Sequence, residues 1–111
     1  MKILIYRPGS AQPEERDVQL AANPSYQQLR DLITPLLDGG DLEHVSVLFE
    51  GRRADMFVDE LGHVKNPPLR MNKAATAIYR ASKMKQQPHI DPEELNWIAG
   101  PAIVFSEIVW K

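Results

Sequence analysis

The residues best suited to acid–base or metal chemistry in this chain lie close together, at Asp59, Glu60 and His63. Carboxylates and imidazoles are common proton-transfer groups and metal ligands in proteins. If this stretch is a β-strand, Asp59 and Glu60 point to opposite faces and cannot act as a pair unless a bulge redirects one. Asp59 is also suited to bonding the amides of a turn in which Gly62 provides the required positive φ. We therefore predict that Asp59, Glu60 and Gly62 are turn residues.

Other sequence patterns also argue against catalysis and against a bound metal. The chain has no cysteine, which excludes zinc fingers, iron–sulfur clusters, thiol catalysis and disulfide scaffolds. It contains neither a nucleophile elbow nor a His-Glu-x-x-His sequence. We predict a non-catalytic protein without metal or cofactor, and an enzyme is the least favoured alternative.

One long segment of the chain, 61–90, carries positive charge without acidic residues. Between Leu61 and Ile90 there is no Asp or Glu, whereas several lysines and arginines fall there. Asn72 is a typical N-cap residue, and the free amides at a helix start carry partial positive charge. Cations flank that start, and others extend the positive surface along the predicted helix. The residues predicted to bind a small anionic, nucleotide-like ligand are Arg70, Asn72, Lys73, Arg80 and Lys83.

This basic segment has an ordinary alternative, which is a capped helix with solvated lysines. The glycines of a Walker loop or a dinucleotide fingerprint are missing from it. The aromatic residues Tyr79, Trp97 and Trp110 are not interleaved with the basic residues as they would be in a base-stacking platform. Together with the formal net charge of −2, this predicts no specific nucleic-acid partner.

The overall composition is that of one ordinary globular domain. The 111 residues are 43% hydrophobic and 25% charged, which is typical of a soluble protein. The apolar start at 1–6 is too short for a signal peptide or a membrane span, and Arg7-Pro8-Gly9 ends it. We expect a single cytoplasmic domain over 1–111 that does not contact a membrane.

Hydrophobic periodicity and turn-forming residues predict the elements that must position these side chains. The strand at 102–110 is apolar on both faces in its first half, which favours a central place in the sheet. Pro35 is expected to kink the last turn of the first helix, which Gly39-Gly40 then ends. The predicted strands cover 1–6, 16–21, 45–49, 56–58 and 102–110, and the predicted helices cover 23–37, 72–83 and a short segment from 91 that ends before Gly100.

The resulting order, ββαββααβ, predicts an α+β fold. A mostly antiparallel sheet of about five strands, with two main helices and one short helix on one face, buries the apolar positions of such a chain. The strands at 45–49 and 56–58 are expected to form a hairpin around the turn at 50–53.

Several short segments, taken in order, resemble a known family of small proteins. They are a helix ending at Gly39-Gly40, the strand entry at 42–45, the stretch 56–62, a proline-containing connection into 72–76, and 98–104. Their order and spacing resemble the family catalogued as domain of unknown function 3846. Its members look like products of bacteriophages, plasmids and their hosts, and it has no established activity. The resemblance implies a small accessory protein of phage or mobile-element type.

The leading functional hypothesis joins this context to the basic segment. A non-catalytic accessory protein would bind a small anionic, nucleotide-like ligand and could sequester a host defence signal. The alternative is a protein-interaction module that inhibits or recruits a host protein, and the apolar pair Val109-Trp110 also offers a surface for a homo-oligomer. The acidic residues that would matter in that alternative are Glu14, Glu15, Asp17, Asp38, Asp41 and Glu43.

Overall fold

Five antiparallel strands form one sheet, with two α-helices and a short 3₁₀ turn around it. The structure is a computed structural model, and it describes residues 1–10, 12–38, 40–62 and 69–110. The strands lie side by side in the order β2-β1-β5-β4-β3. The predicted α+β class and antiparallel sheet are confirmed. The elements are β1 Lys2–Tyr6, β2 Glu14–Asp17, α1 Tyr26–Leu36, β3 Leu42–Phe49, β4 Arg52–Asp59, α2 Lys73–Gln86, the 3₁₀ turn Pro92–Glu94 and β5 Ala102–Phe105.

The hairpin between β3 and β4 turns at two residues, Glu50 and Gly51. Their φ angles of 53° and 80° are both positive, as a type I′ turn requires, and this turn matches the twist of the strands it joins. Phe49 and Arg52 are therefore direct partners, and pairing continues to Leu42 opposite Asp59. The predicted hairpin is confirmed, and both of its strands are longer than predicted.

The two helices lie on opposite faces of the sheet, not on one face as predicted. On one face, Phe57, Ile103 and Phe105 pack with residues of α1. On the other, residues that alternate with these, including Met56 and Val104, pack with residues of α2. Because β4 and β5 are apolar on both sides, each face needs a cover, and one helix supplies it on each.

Helix α1 begins with a capping box and ends next to a proline. Ser25 Oγ accepts from the Gln28 amide at 3.1 Å, and the Gln28 side chain accepts from the Ser25 amide at 2.8 Å. Pro35 lies in the last turn, as predicted, and the helix ends at Leu36. The left-handed residue that follows is Asp38, with a φ of 56°, whereas we predicted that glycine would take this conformation.

Space is restricted at two glycines that flank the β3–β4 hairpin, most severely at Gly40. A Cβ atom on Gly40 would lie 2.2 Å from Oδ2 of Asp59, and one on Gly62 would lie 3.0 Å from the carbonyl oxygen of Ala99. Neither glycine has a positive φ, so the left-handed turn expected at Gly62 is not formed. Gly39 and His63–Val64, also assigned roles from the sequence, lie outside the described residues.

Helix α2 approaches the sheet closely because it buries only small side chains, those of Ala75, Thr76 and Ser82. Thr76 Oγ1 accepts from the Ile98 amide at 2.8 Å, and Ser82 Oγ accepts from the Leu48 amide at 2.6 Å. The second bond caps part of the outer edge of β3. None of the described helices has the length and apolar character needed to span a bilayer.

The last strand, β5, ends at Phe105 instead of continuing to Trp110 as predicted. After it, the chain crosses to the α1 face, where the amides of Val109 and Trp110 donate to Oδ2 of Asp55 at 2.8 and 2.9 Å. The fully buried Asp55 also bonds His44 through Oδ1 at 2.7 Å, and the His44 ring stacks on Trp110 at 4.9 Å. Asp55 therefore attaches the C-terminal segment to the core.

We expect Asp55→Ala to destabilise the protein strongly. The change leaves two backbone amides and an imidazole N–H without acceptors, which costs about 3 kcal/mol in the free energy of unfolding. Denaturant unfolding measures this loss, with Asp17→Ala on the exposed strand β2 as the control. A loss no larger than that of the control would contradict the role assigned to Asp55.

Candidate functional site

Asn72, the centre of the predicted anion site, is a buried structural residue with 1% of its surface exposed. Its Oδ1 accepts from the Ala75 amide at 3.1 Å, so it caps α2 as predicted. Its Nδ2 donates to the carbonyl oxygens of Tyr6 and Gly100, each at 2.9 Å. Both amide hydrogens are used, so the Asn72 side chain has no donor left for a ligand.

Arg70 and Lys73 flank the start of α2 as exposed cations. The Arg70 guanidinium lies over the β1–β2 loop, where a Cβ atom on Gly9 would be 3.2 Å from Nη1 and Nη2. Among the described residues, neither cation forms a salt bridge. The anion site at the start of α2 therefore stays a prediction. Its candidate ligand groups are these two side chains and the first free amides of the helix.

Arg80 and Lys83 do not join that site. Arg80 Nη2 donates to the Leu95 carbonyl at 3.1 Å and ties α2 to the 3₁₀ turn. Lys83 Nζ lies 5.9 Å from the centre of the Tyr79 ring. At about 1.5 Å of rise per residue, Lys83 is roughly 15 Å along the helix axis from Lys73. The five predicted ligand residues therefore do not converge on one point.

Asp59 and its neighbours form a turn at the end of β4. Asp59 Oδ1 accepts from the Leu61 amide at 2.9 Å, and the Asp59 carbonyl accepts from the Gly62 amide at 3.3 Å. Asp59 is 4% exposed, whereas Glu60 is exposed, so the two carboxylates have different environments. Across the described residues, no group of three His, Asp or Glu side chains could hold a metal ion.

The described surface contains an open groove that sequence reasoning missed. It has a volume of about 510 Å³ and lies on the α2 face, where α2 leaves the sheet uncovered. Leu4 of β1, Ala54 of β4 and Val104 of β5 form an apolar floor, and Phe49 lines one end. The charged residues at its edge are Lys2, Glu15, Glu50, Arg52 and Arg53, of which Arg53 turns its side chain to the α1 face.

The charges around the groove are largely free of internal partners. Among the described residues, Arg52 and Glu50 have no side-chain hydrogen bond or salt bridge. Lys2 Nζ and Glu15 Oε1 are 3.8 Å apart, and both side chains are more than half exposed, at 53% and 64%. Arg53 differs, because its Nε donates to Ser46 Oγ at 3.3 Å. A ligand can therefore meet these charges without breaking a strong ion pair.

Tyr6 reports on the electrostatics near the groove. Burial raises the pKa of its phenol, and the negative charge of Glu50 raises this pKa further. The contribution of Glu50 indicates that its negative charge acts on the α2 face, where Tyr6 lies.

No local pattern in the sequence predicts this groove. Its charged residues come from β1, β2 and the β3–β4 hairpin, which are far apart in the chain, and Arg52 was interpreted only as part of a turn. The Asp55–His44 pair was missed as well. Its signal was a carboxylate at the same parity as Phe57, which places a polar side chain on a core-facing side of β4.

Comparison of the chain with protein-family models, curated proteins and solved structures gives no match. The resemblance to the family catalogued as domain of unknown function 3846 stays a prediction.

We expect Asn72→Ala to cost more stability than an ordinary cap substitution. It removes the cap and leaves the carbonyls of Tyr6 and Gly100 unpaired, a loss of about 3 kcal/mol in the free energy of unfolding. Ser25→Ala at the start of α1 removes a cap from an exposed helix end and should cost about 1 kcal/mol. Equal losses for the two variants in denaturant unfolding would contradict the structural role of Asn72.

We expect Glu50→Gln to lower the pKa of Tyr6 towards its ordinary value of 10.0, with the effect of burial remaining. Absorbance titration of ionised tyrosine measures this change. The ionisation that occurs at the highest pH is assigned to Tyr6 and should disappear in Tyr6→Phe. Because folding raises this pKa, the free energy of unfolding should fall as pH rises above 10. A Tyr6 titration that is unchanged in Glu50→Gln would contradict the proximity of the two groups, and Glu93→Gln is the control.

Proposed function

We propose that the chain is a non-catalytic binding protein whose groove takes a small, nucleotide-like ligand that carries an anionic group. The observation that carries this proposal is the Arg52 guanidinium, which lies beside the apolar floor of the groove and has no partner among the residues that the structure describes. Guanidinium groups bind phosphate and carboxylate through two parallel hydrogen bonds, and an unpaired one is ready to do so.

The size and lining of the groove support a small-molecule ligand. Pockets for such ligands commonly have volumes of about 300–1,000 Å³ and combine apolar walls with a few polar groups. Leu4 and Val104 can lie against a flat ring, with Phe49 at the end of the groove and Lys2 as a second cation. These features match the apolar body and the charged group of a nucleotide.

The chemistry of the described residues supports binding without catalysis. Ser106 lines the groove, but no histidine lines it that could activate the hydroxyl. His44 and Asp55 lie on the opposite face, and both oxygens of Asp55 already accept hydrogen bonds. That pair is therefore assigned to structure.

The biological context that we propose follows from the resemblance noted above. In a cytoplasmic accessory protein of phage or mobile-element type, a nucleotide-binding groove would serve to sequester a host defence signal. The chain would act in stoichiometric amounts, as expected for a protein that removes a ligand without converting it.

The outer edge of β3 favours a second candidate, a protein-interaction module. β3 is an edge strand, and alternation from the Leu48 amide places the backbone groups of Leu42, His44 and Ser46 on the outer side. Among the described residues these groups have no backbone partner, so an extended segment of a host protein could pair with them. Of the predicted acidic contacts, Glu43 lies on this strand, whereas Glu14 is engaged by Arg7 and Arg16.

Calorimetry with a panel of nucleoside monophosphates tests the groove. We expect binding that weakens about tenfold or more in Arg52→Gln, because a charge-assisted hydrogen bond contributes about 1.5–3 kcal/mol. Arg30→Gln on the exposed side of α1 is the matched control.

The same titrations separate the alternatives. Binding that is lost in Arg70→Gln and Lys73→Gln but kept in Arg52→Gln would move the ligand to the start of α2. Two results together would favour the interaction module. The chain would bind no nucleotide, and it would capture a host protein in stoichiometric amounts that the Ser46→Pro variant does not capture.

A further inference from the structure

The charged side chains that face the groove are two carboxylates and two cations, and this balance restricts its ligand. Lys2 and Arg52 supply the positive charges, and Glu15 and Glu50 supply the negative ones. Arg53 also lines the groove, but alternation along β4 places its side chain on the α1 face. A site for a polyphosphate would need an excess of positive charge, because each added phosphate brings further negative charge to the carboxylates. The groove therefore matches a ligand with one anionic group.

The carboxylates also require a partner of their own. An ionised carboxylate only accepts hydrogen bonds. A ligand that covers it without offering a donor removes the hydrogen bonds from water and supplies none in their place. A ligand that covers Glu50 must therefore bring N–H donors to it. A flat ring with adjacent N–H groups can donate to both oxygens of one carboxylate.

Glu50 and Arg52 are held in a defined arrangement. They flank Gly51 in the type I′ turn, whose backbone is set by two positive φ angles and by the pairing of Phe49 with Arg52. A guanidinium and a carboxylate are thus presented at the same end of the groove, beside the Phe49 ring. On β1 and β2, Lys2 and Glu15 repeat the combination, and Val104 of β5 lies between them and the strand of Arg52.

We propose that the groove selects a ligand that combines one phosphomonoester or carboxylate with a flat ring. The ring carries the N–H donors. This inference rests on the proposed function of the groove and narrows it. Glu15 and Glu50 are the residues that determine specificity, since they favour the donor-bearing ring and disfavour polyphosphates. Burial is the main cause of the raised pKa of Tyr6, and the negative charge of Glu50 raises this pKa further, which supports a role for that charge on this face.

Guanine nucleotides are suitable probes, because guanine carries adjacent ring and exocyclic N–H donors. Calorimetry compares guanosine monophosphate with guanosine triphosphate, in the absence of magnesium, on the full chain. We expect the monophosphate to bind at least tenfold more tightly in the unmodified protein. In the Glu15→Gln/Glu50→Gln double variant this preference should disappear or reverse, and it should persist in Glu93→Gln, which changes an exposed carboxylate of the 3₁₀ turn.

The outcomes distinguish this inference from the proposed function. Equal binding of the two nucleotides, or tighter binding of the triphosphate, by the unmodified protein would overturn the inference and leave the groove as a binding site. A preference that survives in the double variant would overturn the role of the two carboxylates. Binding of neither nucleotide would overturn the proposed function together with the inference. Thermal melts of each variant confirm that it is folded.

Discussion

The burial of β4 and β5 on both faces is the constraint on which the rest of the structure depends. A strand that is apolar on both sides exposes one hydrophobic surface unless each face of the sheet is covered. Helix α1 and the C-terminal segment cover one face, and α2 covers the other. A sheet of this width extends beyond a single helix about 10 Å across, so part of the α2 face stays open as the groove.

Buried polar residues with satisfied hydrogen bonds attach α2 and the C-terminal segment to the rest of the structure. Asn72 ties the start of α2 to β1 and to Gly100, and Asp55 ties the C-terminal segment to β4. A buried polar group stabilises a structure only when its partners are in place, so these two residues also make the arrangement specific. The same bonds use up side chains that sequence reasoning could take for ligand-binding or catalytic groups.

Local signals in the sequence predicted the local structure well. The cap at Asn72, the hairpin turn and the antiparallel sheet could be derived from short patterns, because turn and cap chemistry acts over a few residues. The placement of α2 on the second face, the end of β5 and the Asp55 bonds depend on residues far apart in the chain. The groove was missed for the same reason, since its charges come from separate strands.

The open part of the α2 face is the proposed ligand site. Mapping amide chemical-shift changes by NMR during a titration with guanosine monophosphate tests it most directly. The account predicts changes that saturate and centre on Leu4, Glu50, Arg52 and Val104, with the α1 face unaffected. Saturable changes centred on Arg70 and Lys73, or no saturable change anywhere, would contradict it.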